Sequence, residues 1–526
     1  MMGVARTTPR WRVRAFAALL TVATAAVGCS ASSDVGIPEI LPARASPGPV
    51  ATGSSNDGAP SPTSPAVTAA EIAATPTPLP TPTPLPTPTP LPTPTPTPEP
   101  LLSTEVLRTS VDRNFATLDD LGVQYSFAVF VEGSGYVDER SPHKQLLPAS
   151  NQKIMTAIGA LELLDPTFRF ATHLLLDDDD NVFVVGGGDP TLRQGDVVAF
   201  AAALKARLAA RNGDDVAPVI NDVVVDPSYF PDTRIGPGWP ERYLPVDVGP
   251  MSGLMIDDNQ HRGDDAYLAD PDLGNAQLIA QLFSQAGIGI RGQARVGSPT
   301  SSAVHVARQT SPSARTMVDI ILGRSDNEIA EALVRQIGLE HVGLGEIDAG
   351  KAVIYDHIAG LGLDLGNAGG DGSGLSRFNR LAAHELVEAL RLAQRQPWWP
   401  TLLAGLSDAG TDGTLAARFG PDVQLDLAAG NTNDVAEDEP LPDSAEPTVT
   451  ALGEIVARTS IGNVRAKTGT LFDVIALTGV LTTVDGAEVL FSFVINGDEA
   501  EKAVAVMDQI VVSYVSATLA QLTSAR

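Results

Sequence analysis

Past residue 100 the apolar positions fall into two rhythms, and the switches between them lay out the elements. Residues 101–118 carry apolar positions at helical spacing, and 124–132 followed by 135–139 is rich in aromatic and β-branched residues around a glycine turn. A helix and then a β-hairpin are predicted there. Helical spacing returns with Ile154, Met155, Ala157, Ile158 and Leu161, just after Pro148 and Ala149, so a helix should open near Ser150. A further helical run covers 327–337. Near the end of the chain, 473–483, the turn Asp485-Gly486 and 488–496 read as a second hairpin, and 500–522 reads as one long closing helix. The apolar content of that helix suits packing on a sheet. Strands near both ends around a central helical part predict an α/β (α+β) fold, with a sheet flanked by helices on both faces.

The first hundred residues follow neither rhythm. Arg6, Arg10, Arg12 and Arg14 precede an apolar run, 15–27, that is too short to span a bilayer comfortably, which is the pattern of an export signal. Its end, Ala26-Val27-Gly28-Cys29, resembles the lipobox of bacterial lipoproteins, with Cys29 at the acylated position and Ala26 in place of the usual leucine. The resemblance implies a membrane anchor on Cys29; ordinary signal cleavage nearby is the alternative. Residues 30–100 are Ser, Thr, Ala, Gly and Pro, ending in a Thr-Pro repeat from Thr75 to Pro100. Such a segment cannot bury enough apolar surface to fold. The repeat favours polyproline II, a semi-rigid spacer on the order of 80 Å.

Composition narrows the function. A net charge of −28 argues against nucleic acid as a partner. With Cys29 as its one cysteine the chain cannot form an intramolecular disulfide. The seven histidines show no ligand spacing such as His-Glu-x-x-His, so no metal or other cofactor is implied.

Three short motifs carry the chemistry. Ser150-Asn151-Gln152-Lys153 puts an amine one helical turn from a hydroxyl, where partial desolvation near a helix N-terminus lowers its basicity and lets it act as a base. Ser141-Pro142-His143-Lys144 has the same spacing but a proline inside it and no apolar helix after it. Ser325-Asp326-Asn327 opens the helical run at 327, and Ser325 with Glu328 reads equally well as a capping box. Lys467-Thr468-Gly469-Thr470 precedes the terminal hairpin. The lysines are Lys144, Lys153, Lys205, Lys351, Lys467 and Lys502, so two of six fall inside these motifs, as expected where an amine is needed. Gly469 would let a substrate backbone lie against a strand edge, with Thr468 and Thr470 able to bind a carboxylate.

Ser-x-x-Lys, Ser-x-Asn and Lys-Thr-Gly in that order form the signature of penicillin-binding proteins and class A β-lactamases. From about Leu101 onward the chain resembles, more closely, the D-alanyl-D-alanine carboxypeptidase/endopeptidase family of low-molecular-mass class C penicillin-binding proteins, peptidase family S13. The likeness also includes Gly187-Gly188-Asp189-Pro190-Thr191-Leu192, Pro237-Gly238-Trp239, Asp371-Gly372-Ser373-Gly374-Leu375-Ser376-Arg377 and Asp412-Gly413-Thr414-Leu415. It implies a penicillin-binding protein/serine β-lactamase-like transpeptidase fold formed by 101–166 and 300–526, with a smaller, shortened inserted domain at 167–299. It implies that Ser150 is acylated, with Lys153 as its base and Ser325 as proton relay. Asn327 would donate to the substrate amide, while Lys467, Thr468 and Thr470 bind its carboxylate. The amides of Ser150 and Thr470 would form the oxyanion hole. The Gly-Gly-Asp-Pro and Asp-Gly-Ser-Gly motifs read as turns without chemistry. Peptidoglycan stem peptides and β-lactams are the implied partners, at the cell envelope. A serine β-lactamase or a catalytically idle wall-binding protein are the alternatives. A class A β-lactamase needs a deacylating Glu-x-x-x-Asn segment that 327–371 does not offer at the expected place. The acidic stretch 431–446 reads as a surface loop.

Overall fold

A computed structural model describes residues 101–524 apart from 232, 245, 260–269, 367–368 and 420–460. The signal with Cys29, the 30–100 linker and the acidic stretch 431–446 lie outside the described residues.

The first elements are helix α1 (Thr104–Asp120), capped by Ser103, and strands β1 (Gln124–Val131) and β2 (Gly135–Arg140). Helix α2 (Gln152–Leu163) follows, then β3 (Ala171–Leu176), β4 (Val182–Val185), α3 (Gln194–Asn212), β5 (Val219–Ile220) and β6 (Val223–Asp226). After a long irregular stretch come α4 (Pro271–Gln285), β7 (Gly289–Ile290), β8 (Ala294–Val296) and β9 (Val304–Thr310). The helices α5 (Ala314–Gly323), α6 (Asn327–Val342), α7 (Ile347–Gly360), α8 (Ala383–Gln394) and α9 (Trp399–Gly405) make the helical half. Strands β10 (Ser407–Asp408), β11 (Val464–Leu471), β12 (Val474–Thr482) and β13 (Glu488–Asn496) precede the closing helices α10 (Ala503–Val515) and α11 (Leu519–Thr523).

The larger sheet is six-stranded and runs β10-β11-β12-β13-β1-β2, joining the two ends of the described chain. Its central strands are apolar on both faces because both faces are covered. Phe127, Val129, Leu477, Phe491 and Phe493 meet α1 and α10, while Ala128, Phe130, Ala476, Val480 and Val494 share a core with α2, α5, α6 and α8. The predicted long helix 500–522 is two helices. Thr518 starts the second as a capping residue paired with Gln521, and the Asp485 carboxylate in the β12–β13 turn accepts from the Leu519 amide. A cap of that kind, tied to a turn of the sheet, outweighs continuous helical propensity.

A five-stranded sheet, β8-β6-β4-β3-β9, with α3 and α4 on it, forms a smaller unit with its own core. The chain first leaves the main body and finally rejoins it at one place, since Phe170 and Ser311 exchange hydrogen bonds of 3.0 and 3.1 Å. The smaller unit thus closes at β9, some ten residues beyond the expected 299. It is also interrupted. Phe230, Trp239, Tyr243, Leu244, Val248, Met251 and Met255 pack into the main core beside α6, so the middle of the expected insert belongs to the helical half. The Gly-Gly-Asp-Pro motif is a turn, as read, with the Asp189 carboxylate accepting from the Thr191 amide and hydroxyl.

Candidate active site

Ser150 lies on a single 3₁₀ turn, Ala149–Asn151, that runs into α2. The approach to it is pinned to the sheet: the Leu147 amide donates to Asn496 Oδ1 and Asn151 Nδ2 donates to Thr478 Oγ1. Ala149 holds φ 46°, a left-handed conformation that costs a non-glycine residue energy. Two glycines clamp it there. A Cβ on Gly374 would lie 2.0 Å from Ala149 O, and one on Gly469 would lie 2.7 Å from Pro148 O. Gly469 is therefore required for the Ser150 turn to sit on β11, a reason different from the substrate contact read in the sequence.

Lys153 is fully buried one turn further on. Its Nζ lies 3.0 Å from Ser150 Oγ and donates to Asn327 Oδ1 and Ser373 O, each at 2.6 Å. Burial pulls its pKa down from 10.5 to about 8, against the opposing pull of Asp371 and Glu331. Asn327 is thus brought into the first two motifs' meeting point, and its Nδ2 donates to Asp247 O at 2.6 Å. Ser325 is half-buried at φ 64°, two residues before Asn327. It is not the helix cap. Asp326 is, accepting from the Ile329 amide at 2.8 Å, while Glu328 turns away to accept from the Gly249 amide. The capping-box reading of Ser325 with Glu328 is corrected accordingly.

Lys467 and Gly469 lie on β11 beyond its short pairing with β10, which ends at Ala466. The Lys467 side chain is fully buried, donating to Thr468 O at 2.9 Å. No carboxylate pairs with it among the described residues. Burial, and then the neighbouring charge of Lys153, hold its pKa well below the usual lysine range. Thr468 Oγ1 donates to Thr414 Oγ1 at 2.8 Å, which brings the Asp-Gly-Thr-Leu motif to the site, and Thr470 is exposed.

The Asp-Gly-Ser-Gly motif does more than turn the chain. Its Ser373 carbonyl is a partner of Lys153, and two buried carboxylates hold the loop. Asp371 accepts from Trp239 Nε1 at 2.6 Å, the Gly374 and Ser376 amides and Asn379 Nδ2. Glu331 Oε1 accepts from the amides of Gly372 and Ser373 at 3.1 and 2.7 Å. Burial, and then Asp371, raise the Glu331 pKa to about 7. Lys351, also buried, donates to Gly369 O and to Asn379 Oδ1 and so supports the same loop. Sequence reasoning missed Glu331, Lys351, Asp371 and Trp239. Lys351 could have been found as a third lysine among six, and Glu331 by standing four residues after Asn327 on one helix face.

A model of the D-Ala-D-Ala carboxypeptidase 3 (S13) family matches residues 108–266, 265–431 and 448–516. The chain belongs to that family. It is accordingly a serine-type peptidase with the penicillin-binding fold. A D-alanyl-D-alanine carboxypeptidase of Actinomadura sp. (strain R39) is 28% identical over 460 residues, covering 71% of this chain and 77% of that protein. D-alanyl-D-alanine carboxypeptidase DacB of Haemophilus influenzae is 23% identical over 427 residues, 67% of this chain and 81% of that one. In fold, this S13 chain is similar to the crystal structure of penicillin binding protein 4 from Haemophilus influenzae, with a TM-score of 0.63 at 20% identity, over 78% of this chain and 99% of that one.

Proposed function

We propose that this S13 peptidase cleaves D-alanyl-D-alanine ends of peptidoglycan stem peptides, and cross-links between them, through an acyl-enzyme on Ser150. The observation that carries the reading is the environment of the Lys153 amine. Three oxygens, Ser150 Oγ, Asn327 Oδ1 and Ser373 O, meet the three N–H positions of the amine, which holds it against the Ser150 hydroxyl so that its lone pair faces that hydroxyl once a proton is lost. Lys153 takes the Ser150 proton as Oγ attacks the penultimate carbonyl carbon. The C–N bond then breaks, the departing amine receives a proton by way of Ser325, and water hydrolyses the ester to regenerate Ser150. The amides of Ser150 and Thr470 serve the developing oxyanion, and the second N–H of the Asn327 amide serves the substrate backbone. Lys467, a buried amine without a carboxylate partner among the described residues, receives the substrate's terminal carboxylate together with Thr468 and Thr470.

A β-lactam offers the same carboxylate beside a strained amide, so it acylates Ser150 as well. Its amine stays tethered after ring opening and obstructs the approach of water. The adduct is therefore long-lived. Intact mass followed over time after penicillin treatment tests this. A persisting adduct on wild type and none on Ser150→Ala is expected; rapid catalytic loss of penicillin, or labelling of Ser150→Ala, would overturn the assignment. Work on peptidoglycan takes place outside the cytoplasm, and the lipobox-like junction at Cys29 with the Thr-Pro spacer suits a lipid tether that lets the enzyme reach into the wall.

A further inference from the structure

An open cleft of about 400 Å³ begins beside the carboxylate end of the site and leads away from it. Its inner end is made by Gly323, Arg324 and Gly413, each within two residues of Ser325 or Thr414. The link to the site is continuous. Thr468 Oγ1 bonds Thr414 Oγ1, the Thr414 amide donates to Ser407 Oγ at 3.1 Å, and Ser407 Oγ donates to Gly323 O at 3.1 Å. From there the cleft follows one face of α5 through Ile320, Asp319 and Thr316, spaced three, four and seven residues from Gly323. Two helical turns give it a run of about 10 Å. The opposite wall is the end of α9, from Ala404 to Leu406.

Glycine keeps the cleft open and its walls close to backbone. A Cβ on Gly405 would lie 3.3 Å from Asp319 Cα, and one on Gly413 would lie 2.3 Å from Ser407 Oγ. The charges are placed along it. Arg324 stands at the inner end with no ion pair among the described residues, while Asp319 and Asp412 are exposed on the two walls. Asp412 gives one oxygen to the Asp408 amide, which leaves the other for a ligand.

Under the reading given above, on which this inference rests, the residue that leaves has its carboxylate at Lys467 and Thr468. A terminal D-alanine ends there. The leaving residue of a cross-link presents the same D-configured amine and carboxylate, but its side chain continues into a second stem peptide, which must run outward from that point. We propose that the cleft between α5 and α9 holds this second strand, so that Asp319, Thr316 and the facing Ala404 wall determine how well cross-links are cut relative to free ends. The carboxylates of Asp319 and Asp412 take N–H groups of the strand, and Arg324 takes one of its carboxylates.

The test compares two substrates on the purified full chain: a monomeric stem pentapeptide ending in D-Ala-D-Ala and a D,D-cross-linked stem-peptide dimer, with products separated by chromatography and weighed. Thr316→Trp fills the outer cleft and Asp319→Arg reverses its charge; Ala404→Trp on the facing wall replaces either variant if it does not fold. The ratio of kcat/KM for dimer to that for monomer should fall about ten-fold or more in each. A ratio within two-fold of wild type in the folded variants overturns the cleft, as does a wild type that cuts the monomer and leaves the dimer intact. A wild type that cuts neither substrate refutes the peptidase reading instead, which separates the two failures.

Discussion

Lys153 is the residue whose setting carries the proposed chemistry. A lysine in water is a cation and no base, but burial brings this one to about 8, so an appreciable neutral fraction exists near neutrality. With Lys153 as the proposed base its deprotonated amine is the active form, and the rate of acylation by penicillin should rise with pH and level off above about 8; a rate that is flat or falls between pH 6 and 9 would exclude Lys153 as the base. Lys153→Arg keeps the charge and cannot release a proton, and should slow acylation by at least about 10²-fold. Glu331 acts one step behind. Glu331→Ala removes the acceptor of two buried amides, which should cost on the order of 2–5 kcal/mol and loosen the Ser373 carbonyl. Glu331→Gln keeps an acceptor oxygen and should recover most of that stability. The sign of its pH effect is also set. Its folded pKa is raised from 4.5 to about 7, so in that window the folded state binds more protons and wild type loses stability as pH rises. Glu328, raised to about 8 by burial and then by Asp326, acts in the same direction. Urea midpoints measured from pH 4.5 to 7 should show a shallower decline in Glu331→Gln than in wild type, and equal slopes would refute the buried acid.

Among the elements, the contact between the nucleophile turn and β11 has the least tolerance. Ala149 at positive φ is held between Gly374 and Gly469, and neither position has room for a methyl group. Gly469→Ala should push Pro148 and Ser150 away from the strand. A displacement near 1 Å costs about 10²-fold in rate, so penicillin labelling should slow by that order while the cooperative melt persists. Normal labelling would mean that the turn can shift without losing its alignment. Helix α6 shows the same economy in another form: Asn327, Glu331 and Arg335 stand at intervals of four on one buried face, each bonded to a different segment. Asp326, next to them, starts the helix, which frees Ser325 from the capping role.

At the scale of the molecule, the site is assembled from segments remote in sequence. The sheet supplies Lys467, the helical half supplies Ser150, Lys153 and Asn327, and the stretch between the two halves of the smaller sheet supplies Trp239 and Asp247. Under the proposed lipid tether, Cys29 and the Thr-Pro spacer concern where this assembly works. Cys29→Ala should move the protein from the membrane fraction to the soluble fraction, and an unchanged distribution would sink the lipid tether. The sequence by itself determined the element types, the three short motifs and their order, because each depends on spacing within a few residues: helical period, strand alternation, a serine three positions before a lysine. Even Lys153 and Lys467 stood out, since lysine is scarce in this chain. What only the tertiary structure decided depends on contacts across hundreds of residues. Asp371 reads as a turn residue, and Glu331 draws no notice, until burial makes them the supports of the loop that carries the Ser373 carbonyl. The expected insert reads as one block until packing returns its middle to the main core. Gly469 reads as room for a substrate until Pro148 is seen to fill that room, for local spacing carries no record of which distant backbone will approach it.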